Sequence, residues 1–70
     1  MSQSARILEH LRLHGAITPM DALRQFGCSR LSARILDLKR QGHKIATHMI
    51  YHMTPEGMKR FARYELESNL

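Results

Sequence analysis

Leu31, Ile35 and Leu38 fall within about 60° of one another when residues are laid out at about 100° per step. That seam in "SRLSARILDLKRQG" is the strongest constraint the sequence carries. A helix with so narrow an apolar stripe must be covered along it, which requires other elements to pack there. Opposite the seam lie Arg30, Ala33, Arg34, Asp37 and Arg40, so the uncovered face is small and basic. The pattern predicts a helix over residues 29–41, stopped by Gly42.

The elements on either side follow from the same reasoning. In "SQSARILEHLRLHG", Ile7, Leu8, Leu11 and His14 share one side at helical spacing, with Ser2 or Ser4 as cap and Gly15 as stop. "AITPMDALRQFG" opens with two residues suited to a very short strand. Thr18, Pro19 and Asp21 then stand as cap, first helical residue and third residue of a helix over 19–26. Ala22, Leu23 and Phe26 are its inward residues, and Gly27 allows a sharp turn. Two short helices parted by Gly27, Cys28 and Ser29 have the spacing of a helix-turn-helix over residues 19–41. The second helix of such a pair presents its N-terminal side chains to base edges.

From Lys44 to Met53 the period changes to two, with Ile45, Thr47, Met49, Tyr51 and Met53 on one face and Ala46, His48, Ile50 and His52 on the other. This predicts two short antiparallel strands over 44–53 that bend near Ile50 and Tyr51. Ile suits a tight turn poorly, so the hairpin is expected to be stunted or irregular. Thr54 and Pro55 repeat the logic of cap and first helical residue, and predict a last helix over 55–67. Its apolar stripe is Met58, Ala62, Leu66 and Phe61. The fold class is α+β, mostly helical: helix, short strand, helix, helix, two strands, helix.

Seventy residues make one domain, here residues 1–70. A chain this short buries only about 60% of its unfolded surface, so oligomerisation would help it. Eleven Lys and Arg against six Asp and Glu give a net charge of +5, which points to a polyanion as partner, nucleic acid first. The one cysteine, Cys28, excludes an internal disulfide. With neither a signal-like nor a membrane-length apolar run, the chain reads as cytosolic.

The stretch "GAITPMDALRQFGCSRLSARILDLKRQGHKIAT", residues 15–47, resembles a winged helix-turn-helix family found mostly in bacteriophages and prophages. The family pattern is of the type G-x-I-T-x-x-E-A-L-x-x-F-G-x-x-R-L-x-A-R-I-x-D-L-x-x-x-G-x-x-I-x-T. "TPEG" at 54–57 also looks like the start of the helix that follows the wing in many winged-helix repressors. The resemblance implies a DNA-binding regulator in a bacterial cytoplasm or nucleoid, with the helix over 29–41 as recognition helix and residues 44–53 as wing. Two departures stand out. Asp21 replaces the usual Glu, which a cap accepts. The expected wing tip, "HMIYH", has no Gly, Asn, Lys or Arg, which argues against minor-groove insertion by a basic tip.

In a groove-entering helix, Arg30 and Arg34 are the candidates for bidentate contact with guanine, each such pair giving roughly 1 to 3 kcal/mol of discrimination. Ser29 and Ser32 suit a phosphate or base edge, and Ala33 permits close approach. Asp37, three residues beyond Arg34, reads as a buttress that orients Arg34 or a basic residue of the first helix; in the alternative, Arg30 and Arg34 simply solvate the helix and pair with Asp37. Lys39, Arg40, His43 and Lys44 cluster where they can reach backbone phosphates. Thr18 with the first amides of its helix, and His48 on the wing, are further phosphate candidates.

Five histidines invite a metal reading, but zinc needs about four ligands at compatible spacing, and Cys28 has no cysteine partner. Catalysis needs a nucleophile with a base and an orienting group, and none is assembled. No metal, cofactor or catalytic residue is therefore assigned. Cys28 at a helix start has the setting of a redox sensor, although packing in the turn is the commoner role of a free cysteine. His10 and His14 form a surface pair or half-buried rings. Met58, Phe61, Tyr64 and Leu66 spread over more of the last helix than one small core covers, which predicts a homodimer contact there. Two functional readings follow: a sequence-specific duplex-binding regulator or architectural, excisionase-like recombination factor, and a protein-interaction module that inhibits or adapts a host protein.

Overall fold

A computed structural model describes residues 2–67; residue 1 and residues 68–70 of the expected domain lie outside the described residues. In chain order the elements are α1 (Gln3–His14), β1 (Ala16–Ile17), α2 (Pro19–Phe26), α3 (Leu31–Arg40), β2 (Ile45–Thr54) and β3 (Gly57–Leu66).

Each helix starts and stops where local chemistry requires. Ser2 accepts the Ala5 amide at 3.1 Å at the front of α1, and Gly15, at φ 84°, ends the helix in the left-handed region that L side chains avoid. Thr18 and Asp21 form a reciprocal capping box on α2: the Thr18 hydroxyl accepts the Asp21 amide at 3.2 Å, and the Asp21 carboxylate accepts the Thr18 amide at 3.1 Å. Gly27, at φ 62°, turns the chain after α2, and the Gly27 and Cys28 amides donate back to the Leu23 and Ala22 carbonyls. α3 begins at Leu31 rather than at 29. Arg30 occupies the cap position, and no side chain caps it.

The core lies between the three helices and the base of the sheet. Ile7, Leu11, Ile17, Ala22, Cys28, Leu31, Ile35, Leu38 and Ile45 are buried, with Leu8, Phe26, Tyr64 and Leu66 packed around them. The predicted α3 seam is buried in full, and burial of Cys28 assigns it to packing. Two inward assignments fail. Leu23 is 52% exposed, because an eight-residue helix presents only Ala22, with Phe26 half-buried, to so small a core. In the last turn of α1, His14 is exposed while His10 is buried, and the two rings meet at a tilt of 46° with centroids 4.5 Å apart.

The largest correction concerns the C-terminal third. Residues 45–54 do not fold back at Ile50 and Tyr51; they form one unbroken ten-residue strand, and the predicted helix over 55–67 is instead β3. β2 and β3 pair antiparallel without a bulge, from Ile45 opposite Leu66 to Thr54 opposite Gly57, and β3 also pairs with β1, giving the order β1-β3-β2. The wing is therefore long, not stunted. Its turn is "TPEG", which satisfies two rules at once: Pro favours the first position of a helix and equally the second position of a type I turn that ends in Gly. Here Thr54 Oγ1 donates to the Gly57 carbonyl at 2.7 Å and accepts the Glu56 amide at 3.3 Å. Gly57 takes φ 123°, and neither Pro55 nor Glu56 has positive φ. The apolar spacing is equally ambiguous, because Met58, Ala62 and Leu66, four apart, share one face of a strand as readily as one side of a helix. The breadth of apolar circumference that predicted a dimer helix is the signature of a two-faced strand, so no such helix exists to carry that contact.

Candidate nucleic-acid interface

Directly opposite residues of an antiparallel pair share a face. One face of the β2–β3 hairpin therefore carries Ile45 with Leu66, Thr47 with Tyr64, Met49 with Ala62, Tyr51 with Arg60 and Met53 with Met58. At its root this face closes the core through Ile45, Tyr64 and Leu66. Just beyond the root, Thr47 and Tyr64 form one wall of an open groove whose other wall is α3, with Arg30, Ser32, Ala33, Ile35, Leu36 and Lys39. The groove thus joins the first turn of α3, the exposed flank of that helix and the hairpin. Burial of Leu31, Ile35 and Leu38 fixes which flank α3 turns outward, so the same seam that builds the core aims the groove.

The structure sorts the sequence candidates. Ser29, Arg30 and Ser32 are exposed at the start of α3, and half-buried Ala33 leaves the helix backbone approachable beside them. Arg30, Ser32, Ala33 and Lys39 line the groove together. Arg34 stands apart on the other flank, its Nε 3.2 Å from the Asp37 carboxylate, both side chains about one-third exposed. That approach lies off the N–H axis, so the guanidinium is held by charge rather than by an aligned hydrogen bond. Lys39, Arg40 and Lys44 are exposed around the end of α3, while His43 is half-buried, its amide bonded to the Leu38 carbonyl.

Two phosphate candidates are occupied otherwise. At α2 the capping box consumes the Thr18 and Asp21 amides and Pro19 has none, which leaves little to cradle an anion. His48 lies on the hairpin face away from Thr47 and pairs with Glu65 at 3.2 Å, opposite Arg63. His52 shares that face, four residues along an extended strand and hence about 13 Å away, its ring edge-on to Phe61. Among the described residues no group of three or more possible metal-binding side chains converges.

Sequence reasoning missed Leu36, Tyr64 as a groove residue, and Arg60. Leu36 is 47% exposed in the groove, and Arg60 shares the face of Thr47 and Tyr64 nearer the hairpin tip. Alternation from Gly57 onward contains the signal for Arg60, once "TPEG" is read as a turn.

Three helices, a short first strand between α1 and α2, and a long hairpin after α3 are the parts of a known architecture, and a family model described as "Winged helix-turn-helix domain" matches residues 2–69. The chain belongs to this family. α2 and α3 are accordingly the helix-turn-helix of the winged helix-turn-helix, and the β2–β3 hairpin is its wing. Membership implies DNA as partner, in keeping with the net charge of +5. No curated protein matches the chain. Among the described residues no helix is long and apolar enough to cross a membrane.

Proposed function

We propose that this chain is a small, non-enzymatic, phage- or prophage-type transcriptional regulator that binds duplex DNA sequence-specifically as a homodimer in the bacterial cytoplasm or nucleoid. The observation that carries this reading is the groove in which Arg30, Ser32, Leu36 and Lys39 of the recognition helix region face Thr47 and Tyr64 of the wing.

Each residue suits a distinct contact. Arg30, exposed at the front of α3 with no partner among the described ion pairs, has the fork that reads guanine O6 and N7 in the major groove. Ser32 is short enough to meet a phosphate or base edge, and the Leu36 side chain suits the methyl group of thymine. Lys39, Arg40 and Lys44 supply charge for the flanking phosphates, which set register and affinity rather than sequence. Arg60 offers a wing contact to the backbone, whereas at the turn itself Pro55 is uncharged and Glu56 pairs with Lys59 at 3.2 Å. Arg34 and Asp37 neutralise one another at the rim of this surface.

A mobility-shift titration on the chain across salt concentrations tests the reading. Duplex affinity should fall steeply as salt rises, and Arg30→Ala should weaken a selected site more than random duplex. Absence of duplex binding at low salt sinks the proposal.

A second reading, a protein-interaction module, is favoured by the exposed apolar outer wing, where Met49, Tyr51, Met53 and Met58 share one face. A stoichiometric protein retained after nuclease treatment would support it over the first.

A further inference from the structure

Among the described residues β2 is an outermost strand of the sheet, hydrogen-bonded to β3 on one side only. The phase of its hydrogen bonds can be fixed. Glu67 donates to the Lys44 carbonyl at 2.9 Å, so Lys44 and, by alternation, Ala46, His48, Ile50, His52 and Thr54 bond inward to β3. The backbone N–H and C=O groups of Thr47, Met49, Tyr51 and Met53 therefore point outward along the free edge.

Proteins ordinarily blunt such an edge with charge, proline, bulges or cover. The wing does so on one strand only. The outer edge of β3 pairs with β1 at Tyr64 and Glu65, runs beside Thr18, Pro19 and Met20 near Arg60 and Phe61, and carries Lys59, Arg60 and Arg63. β2, "IATHMIYHMT", has no Asp, Glu, Lys, Arg, Gly or Pro and its register is unbroken. On a chain of net charge +5, this is a neutral stripe where two copies approach without opposing fixed charges.

We propose that the outer edge of β2 is a self-association surface, on which two copies of this chain pair antiparallel about a two-fold axis at Ile50 and join their wings into one sheet. Outward-pointing residues can bond only to outward-pointing residues. The Ile50 axis meets this condition, placing Met49 opposite Tyr51 and Thr47 opposite Met53 of the second copy. It keeps Ile45, buried against the body of the domain, out of the seam. Met49, Tyr51 and Met53, which are 43%, 59% and 71% exposed, then meet their counterparts on one face. Because the axis is perpendicular to the sheet, both copies carry α3 on the same side, as an inverted-repeat operator requires. A seam of this kind is at the small end of specific interfaces, so the dimer is a weak one that DNA consolidates.

This deepens the dimer part of the proposed function and does not rest on DNA binding. Sedimentation of the full chain without DNA separates the two. Wild-type protein should dimerise reversibly in the micromolar range, and Tyr51→Lys should weaken association by at least about tenfold. Met49→Pro should do the same with the fold retained by circular dichroism, because the amide it removes faces outward. Ile50→Cys should lock the dimer on mild oxidation, since facing residues of a non-hydrogen-bonded pair lie within disulfide reach, whereas Cys28 is buried. A monomer at all concentrations, or a dimer insensitive to Tyr51→Lys, overturns the proposal. A dimer that Tyr51→Lys breaks but Ile50→Cys does not lock overturns the Ile50 axis.

Discussion

Thr47 stands directly opposite Tyr64 across the β2–β3 pair, and both line the groove whose other wall is α3. Tyr64 also lies opposite Ile17 of β1 and packs on the core, so one side chain serves the fold and the groove together. Tyr64→Ala should destabilise the domain by about 1 to 3 kcal/mol, below the cost for a fully buried aromatic, and should also weaken DNA binding. Thr47→Ala, at an exposed position, should leave stability within about 0.5 kcal/mol. Urea unfolding followed by circular dichroism measures both.

The turn at residues 54–57 makes a second prediction. Gly57 holds φ 123°, a conformation that side chains resist, and Thr54 makes two hydrogen bonds across the turn. Gly57→Ala should cost about 1 kcal/mol or more, and Thr54→Val about 1 kcal/mol for the hydrogen bonds it removes. Neither substitution should lower helical signal in the native state, because no helix begins there. A drop in helical circular dichroism would restore the helix that the sequence pattern alone suggests.

That contrast shows which parts of the fold were legible in the sequence. Residues 2–42 contain chemistry with one meaning: a capping box at Thr18 and Asp21, left-handed glycines at 15 and 27, and a seam at Leu31, Ile35 and Leu38 that no strand could use. The last third contains chemistry with two meanings. "TPEG" caps a helix or turns a hairpin, and apolar residues four apart suit either period, so only pairing with β2 over ten residues decides it. The interface was legible to the same extent. Arg30 and Ala33 follow from the helix wheel, Ser32 from its place in the first turn and Lys39 from the basic cluster at the helix end, whereas Leu36, Tyr64 and Arg60 join them only through the tertiary fold.

The capping box offers a third test. Thr18→Ala should destabilise the domain by about 1 kcal/mol by removing the cap, with little change in DNA affinity, because the Thr18 hydroxyl is engaged with the Asp21 amide and the Thr18 amide with the Asp21 carboxylate. A large fall in affinity at unchanged stability would instead make Thr18 a phosphate contact.

Arg30 and Arg34, both basic and four residues apart, separate by environment. Arg30→Ala should cost about 1 to 3 kcal/mol at the preferred base pair and relax the preference there. Arg34→Ala should cost less, because the Arg34 charge is already held by Asp37. Lys39→Ala should weaken all sequences similarly and reduce the salt slope by about 0.9 for each phosphate that is no longer neutralised.

The most direct test is selection of bound duplexes from a random pool by the intact protein, repeated with Arg30→Ala. Enrichment of a defined sequence whose strongest position contains a guanine and loses its preference in Arg30→Ala is the predicted result. A pool that stays random through successive rounds, or a motif that Arg30→Ala leaves unchanged, would contradict the assignment of α3 and its groove as the reading surface.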